Sequence, residues 1–264
     1  MPDDRGMTFD EEPLSGGNVS AGVVRVGDTV RRPAGPWTPA VHALLDHLHS
    51  VGFHAAPRAL GLDERGREVL SYCPGVPTWP ERFDLMEPRS ALTRVGHIIR
   101  DFHDAVAGFT PPPGARWRVL YPQAGDEIIA HHDLAPWNLI AGTDSWAFID
   151  WDTAAPGTRL WDLAYAVVSF VPLSAEPALR RGDPVERMRA LVEGYGLEDE
   201  DDRRRLIGLT AERARAMHDL LAEQAARGNA PWERLWREGH GRIWRANADH
   251  ILDNRQRWED GLLG

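Results

Sequence analysis

The reading turns on the stretch from Ala130 to Asp152, AHHDLAPWNLIAGTDSWAFIDWD. Asp133 precedes Asn138 by five positions, around a short loop that contains Pro136. A second acid, Asp150, closes the apolar run Trp146-Ala147-Phe148-Ile149. A carboxylate at the end of a buried strand needs a compensating partner. Asn and Asp oxygens are hard ligands that suit Mg2+. An Asp set apart from them can orient an attacking hydroxyl. Phosphoryl transfer asks for this set, because its loose transition state leaves positioning and charge neutralisation as the main tasks. Asp133 is therefore the candidate catalytic residue, and Asn138 and Asp150 are the candidate metal ligands. Taken singly, each could be a turn or capping residue. Asp152 is the second candidate acid, either a metal ligand or, as expected, a residue facing solvent or a neighbouring loop.

His131 and His132 invite a zinc reading. Adjacent strand residues point to opposite faces, so the two rings chelate one ion poorly. The sole cysteine, Cys73, rules out an intrachain disulfide and a cysteine metal cluster.

The 264 residues are 42% hydrophobic and 27% charged, as in an ordinary globular enzyme. Thirty basic and 40 acidic side chains give a net charge of −10, which disfavours a nucleic-acid partner. All 30 basic residues are Arg, so lysine is absent from any phosphate contact or Schiff base. The opening MPDDRGMTFDEEP is acidic and lacks an apolar core, and no later segment approaches a membrane span. The expectation is a cytoplasmic protein, monomeric or homodimeric, with no membrane partner.

Turn signals and apolar periodicity divide the chain. Residues 1–12 read as a loose arm. Strands are expected at 22–26, 29–32, 58–62 and 68–72, with a helix from Thr38 carrying Val41, Leu44, Leu45 and Leu48 on one face. Pro74-Gly75 marks a lobe boundary, so 13–75 and 76–264 are separate lobes. Leu92, Val95, Ile99, Phe102 and Val106 form a second helical stripe. Short strands are expected at 127–130, 138–141 and 147–149, then helices at 161–170, 184–195, 202–227 and 231–258.

The plan is α+β and bilobal, a small β-rich lobe with one helix before a larger helical lobe. His131, Asp133 and Asn138 also match the kinase loop spacing H-x-D-x-x-x-x-N. With Phe102-His103-Asp104, HHDLAPWN, FIDWD and the quartet Trp161-Asp162-Leu163-Ala164, the chain resembles the aminoglycoside phosphotransferase and choline kinase-like family, which has a protein-kinase-like fold. The resemblance covers most of 14–165. It implies a small-molecule kinase using ATP or GTP with Mg2+, its nucleotide in lobe 13–75 and its acceptor in lobe 76–264. It implies that His131 braces the catalytic loop, that His132 replaces a common glycine, and that Asp162 ties its helix to that loop.

The family's third-strand Lys is replaced here by Arg31 and Arg32. Alternation favours Arg32 as the phosphate contact. The family's helix Glu has no counterpart among His42, Asp46 and His47. The turn at Gly16-Gly17-Asn18 either covers the phosphates through backbone N–H groups or is an ordinary hairpin. Ser71-Tyr72-Cys73 is the expected hinge, with Ser71 and Cys73 at the nucleotide base. Glu198 to Asp202 read either as a helix cap or as a wall for a cationic, aminoglycoside-like acceptor.

Overall fold

The computed structural model describes residues 10–14, 22–121 and 125–264. Gly17 and the arm up to residue 9 lie outside them. Five antiparallel strands form the first sheet, β1 (Glu12–Pro13), β2 (Val24–Val26), β3 (Thr29–Pro33), β4 (Ala59–Leu62) and β5 (Arg67–Ser71), in the order β1-β2-β3-β5-β4. The expected arm is corrected at its end. Glu12–Pro13 pairs with β2, and Glu11 accepts hydrogen bonds from Arg65 and Arg67.

Helix α1 (Thr38–Ser50) crosses between β3 and β4, with Val41, Leu44, Leu45 and Leu48 buried as their spacing predicts. In the β3–β5 ladder, Arg32 sits directly opposite Glu68. That register brings two charges from distant parts of the chain to one spot.

After Pro74 the chain passes close to the second half of the fold. Gly75 has φ +144°, and a Cβ there would lie 2.6 Å from the Ala141 carbonyl oxygen. Strand β6 (Val76–Pro77) then joins β8 (Leu139–Ala141) and β9 (Trp146–Phe148). Helix α2 (Arg89–Val106) buries Leu92, Val95, Ile99, Phe102 and Val106. A third, two-stranded sheet pairs β7 (Ile128–Ala130) with β10 (Ala155–Gly157). Helices α3 (Arg159–Phe170), α4 (Pro184–Tyr195) and α5 (Glu200–Ala226) form the main body.

The helix expected over 231–258 is three helices, α6 (Ala230–Arg237), α7 (His240–Asp253) and α8 (Arg255–Leu263). The left-handed Gly239 (φ +90°) ends the α6 segment, and Asn254 leaves helical geometry before α8. One hydrophobic core runs from Val41, Leu44 and Leu70 beside the first sheet to Leu206, Ile251 and Trp258 in the helices.

Candidate active site

Asp133 lies on the loop that leaves β7. Asn138 Nδ2 donates to the Asp133 carbonyl oxygen at 2.9 Å and to its Oδ2 at 2.8 Å. With its nitrogen so engaged, Asn138 has Oδ1 to offer a cation. His131 Nδ1 accepts the Asp133 N–H at 3.2 Å, while its Nε2 donates to the Ile149 carbonyl at 3.2 Å. One ring thus ties the Asp133 loop to the residue before Asp150. Burial lowers the His131 pKa, which suits a neutral ring with one donor and one acceptor.

The Asp133 carboxyl is pushed up to about 6, first by burial and then by the charge of Asp150. Asp150 adopts a left-handed backbone, φ +62°. Its Oδ1 accepts from Arg32 Nη1 at 3.0 Å, and Asp152 Oδ1 accepts from Arg32 Nη2 at 2.6 Å. Asp152 is buried and also pushed up to about 6, mainly by burial, which corrects the expected solvent-facing position. Arg32 Nε donates to Glu68 Oε2 in a short contact. Glu68 is 1% exposed, and its Oε1 accepts from His42 Nε2 at 2.9 Å. Burial alone would lower the Arg32 pKa, but Asp152, Asp150 and Glu68 together raise it.

The strand cation therefore does have an acidic partner. Glu68 comes from the neighbouring strand, and His42 on α1 supports it. Sequence reasoning searched the helix and missed the strand. Arg31 alternates to the other face of β3, where it donates to Thr29 Oγ1 and lies 3.7 Å from Asp63. The structure does not bring it to Asp150 and Asp152, where Arg32 lies. Ser71 pairs with Arg58, its N–H donating to the Arg58 carbonyl and its Oγ accepting the Arg58 N–H, and it lines one cavity with Cys73. Cys73 stands in the β5–β6 connection, its thiol pushed up to about 11 by burial. It lines a cavity with His49, His54 and Ala147.

Asp162, 0% exposed at the start of α3, accepts the His131 N–H at 2.9 Å and the His132 N–H at 2.8 Å. His103 Nε2 lies 3.3 Å from the same carboxylate, and its Nδ1 lies 2.9 Å from the Tyr195 hydroxyl. The Phe102-His103-Asp104 signature thus joins α2, α3 and α4 behind the loop. Burial alone would raise the Asp162 pKa, but the His103 hydrogen bond and nearby histidines bring it down to about 2. A depressed carboxylate pKa stabilises the fold above the unfolded value and loses that effect as pH falls. The expected contribution is roughly 2 kcal/mol, present at neutral pH and lost between about pH 4 and pH 2. Urea unfolding across that window should show a steep acid limb in the parent and a shallower one in Asp162→Asn. Parallel limbs would remove Asp162 as its source.

The acidic block caps the start of α5. Asp199 Oδ1 accepts the Asp202 N–H at 2.9 Å, and Arg204 and Arg205 pair with Glu200, Asp201 and Asp202. Aromatic rings stand near Asp133. Trp137 meets Tyr165 edge-on at 6.2 Å, and Tyr165 stacks on Trp244 at 6.1 Å.

The donor set fits a hard divalent cation bound partly through phosphate oxygens, since Asp150 and Asn138 bring a carboxylate and an amide oxygen to one cleft. Among the described residues no group of three or more His, Cys, Asp or Glu side chains forms a ready-made metal cluster. A strand cation held by a buried Glu, facing an Asp–Asn loop, is the plan of a kinase-like phosphotransferase.

Comparison with known proteins agrees. The pattern of the phosphotransferase enzyme family matches residues 114–206. A trifolitoxin immunity protein of Rhizobium leguminosarum bv. trifolii is 33% identical over 272 residues, covering 96% of this chain and 99% of that protein. A choline/ethanolamine kinase family protein from Mesorhizobium loti superposes with a TM-score of 0.67 at 16% identity, over 98% of this chain and 95% of that one. An amicoumacin kinase in complex with AMP-PNP, Ca2+ and Ami superposes with a TM-score of 0.63 at 12% identity, over 96% and 90% of the two chains. The chain belongs to the phosphotransferase enzyme family and is a small-molecule kinase, with the α+β protein-kinase-like fold.

Proposed function

We propose that the protein moves the γ-phosphate of ATP or GTP, as its Mg2+ complex, to a hydroxyl of an aminoglycoside-like or other cationic antibiotic. The observation that carries this reading is that the Asn138–Asp133 and Arg32–Asp150 pairs lie side by side, with the Asn138 carbonyl accepting the Ile149 N–H and the Asp150 charge acting on Asp133. Asp133 orients the acceptor hydroxyl and takes its proton. Asn138 Oδ1 and Asp150 hold Mg2+, which neutralises charge on the phosphates. Arg32 is fixed at Nε by Glu68, and its Nη1 and Nη2, which Asp150 and Asp152 hold here, are the donors that phosphate oxygens would take over. The faces of Trp137 and Trp244 suit an ammonium group by cation–π attraction.

A relative named for immunity to trifolitoxin supports a protective role. The second reading is a metabolic kinase of choline-like amines, amino alcohols or sugars, which the aromatic row and a choline/ethanolamine kinase neighbour support. A nucleotide-binding pseudokinase fits less well, because Glu68 supplies an acidic partner for the strand cation Arg32.

The test is nucleotide consumption against aminoglycosides, peptide antibiotics, choline-like amines and sugars. Phosphorylation of an antibiotic supports the first reading, an amine or sugar preference supports the second, and transfer to none counts against both. Asp150→Asn belongs in the same assay. A neutral amide is a poorer Mg2+ ligand than a carboxylate, so the variant should need more Mg2+ for nucleotide binding and turnover. Identical Mg2+ titrations would take Asp150 out of the metal site.

A further inference from the structure

We propose that Arg213 is a positioning residue for Asp133, acting through the carbonyl of His132. The proposal rests on the phosphotransferase reading above. Arg213 lies on α5 and is 0% exposed. Its guanidinium carbon sits 3.6 Å from the Tyr121 ring centre, 4.0 Å from Tyr165 and 5.4 Å from Trp161. Nη2 donates to the His132 carbonyl in a short bond. Nε and Nη1 have no hydrogen-bond partner among the described residues. Arg213 also forms no ion pair with a carboxylate among them. An apolar side chain of similar volume would serve packing better than a charge with one hydrogen bond. Packing alone thus does not account for an arginine here.

The backbone shows what the single bond does. His132 is left-handed, φ +65°, in a conformation that favours glycine. On its N-terminal side, Asp162 holds the His131 and His132 N–H groups. On its C-terminal side, the peptide joining His132 to Asp133 is held at both ends. Arg213 binds its oxygen, and His131 Nδ1 accepts its N–H. A peptide plane tethered at oxygen and nitrogen does not rotate freely. Rotation of this plane would swing the Asp133 carboxylate off the acceptor hydroxyl. Removing Arg213 frees one tether and leaves every contact to nucleotide in place.

The experiment compares the parent protein, Arg213→Met and Arg213→Lys, using the acceptor that the parent phosphorylates. Folding is read by circular dichroism, nucleotide affinity by calorimetry, and kcat and acceptor KM by turnover. A parent that transfers phosphate to nothing overturns the functional reading and this proposal with it. With transfer established, Arg213→Met should fold and bind nucleotide as the parent does. Its kcat should fall by about 10²-fold while acceptor KM stays close to the parent value, and Arg213→Lys should recover about tenfold of that loss. An ammonium can still donate to the His132 carbonyl, and a thioether cannot. Four results would overturn the proposal while the functional reading stood. They are unchanged kcat in Arg213→Met, a loss spread evenly over kcat, KM and nucleotide affinity, no recovery in Arg213→Lys, and failure of both variants to fold.

Discussion

Asp133→Ala is expected to fold normally and to transfer phosphate more slowly by about 10³-fold or more, because it removes the group proposed to hold the acceptor hydroxyl in line. The surrounding contacts explain why the fold survives. His131 and Asp162 hold the loop through backbone groups and Ile149, and do not use the Asp133 side chain. The carboxyl is itself a burden at neutral pH. Its pKa, pushed up to about 6, means that ionisation is disfavoured in the folded state. The ionised Asp133 therefore opposes folding above that pH, and the alanine variant should be at least as stable as the parent at pH 7. Unfolding and turnover are measured on the same preparation. Turnover within a few-fold of the parent, on an identified acceptor, would remove Asp133 from the chemistry.

The second large effect concerns Arg32. Arg32→Met leaves Glu68, Asp150 and Asp152 facing one another without their shared cation. Removing one partner of a buried ion pair strands the others, and the expected loss is on the order of 3–5 kcal/mol of stability. Nucleotide affinity should fall as well, since the proposed role of the same guanidinium is to contact the phosphates. Arg31→Ala is the control. Arg31 lies on the opposite face against Asp63, so its loss should leave nucleotide affinity unchanged. Calorimetry with Mg-nucleotide and urea unfolding separate the two effects. If Arg31→Ala weakens nucleotide binding while Arg32→Met does not, the phosphate contact has been placed on the wrong side of the sheet.

Much of this was legible in the sequence, for physical reasons that differ by element. The α2 stripe follows helical periodicity, and all five of its apolar residues are buried. The β4 and β5 strands flank a recognisable turn, with Asp63 accepting the N–H groups of Arg65 and Arg67. The loop from His131 to Asn138 is local, so its spacing carries its geometry. What failed was either conformational detail or long-range pairing. The 231–258 segment has helical composition throughout, and its breaks depend on Gly239 and Asn254 leaving helical geometry. Glu68 pairs with Arg32 through strand register, which no local pattern states. Arg213 left a readable sign. It falls on the buried stripe of α5 with Leu206, Thr210, Met217 and Leu220, where a lone arginine is out of place.

The Arg32–Glu68 pair spans two adjacent antiparallel strands, directly opposite in register. Where the acidic partner sits on a mobile helix, as the family pattern places it, swinging that helix can separate the charges and silence the site. Here both partners belong to one hydrogen-bonded ladder and move together. Displacing α1 would cost only the His42 contact to Glu68. Movement of that helix would therefore leave the Arg32–Glu68 pair intact. The pair is set when the sheet forms and does not wait on the placement of α1.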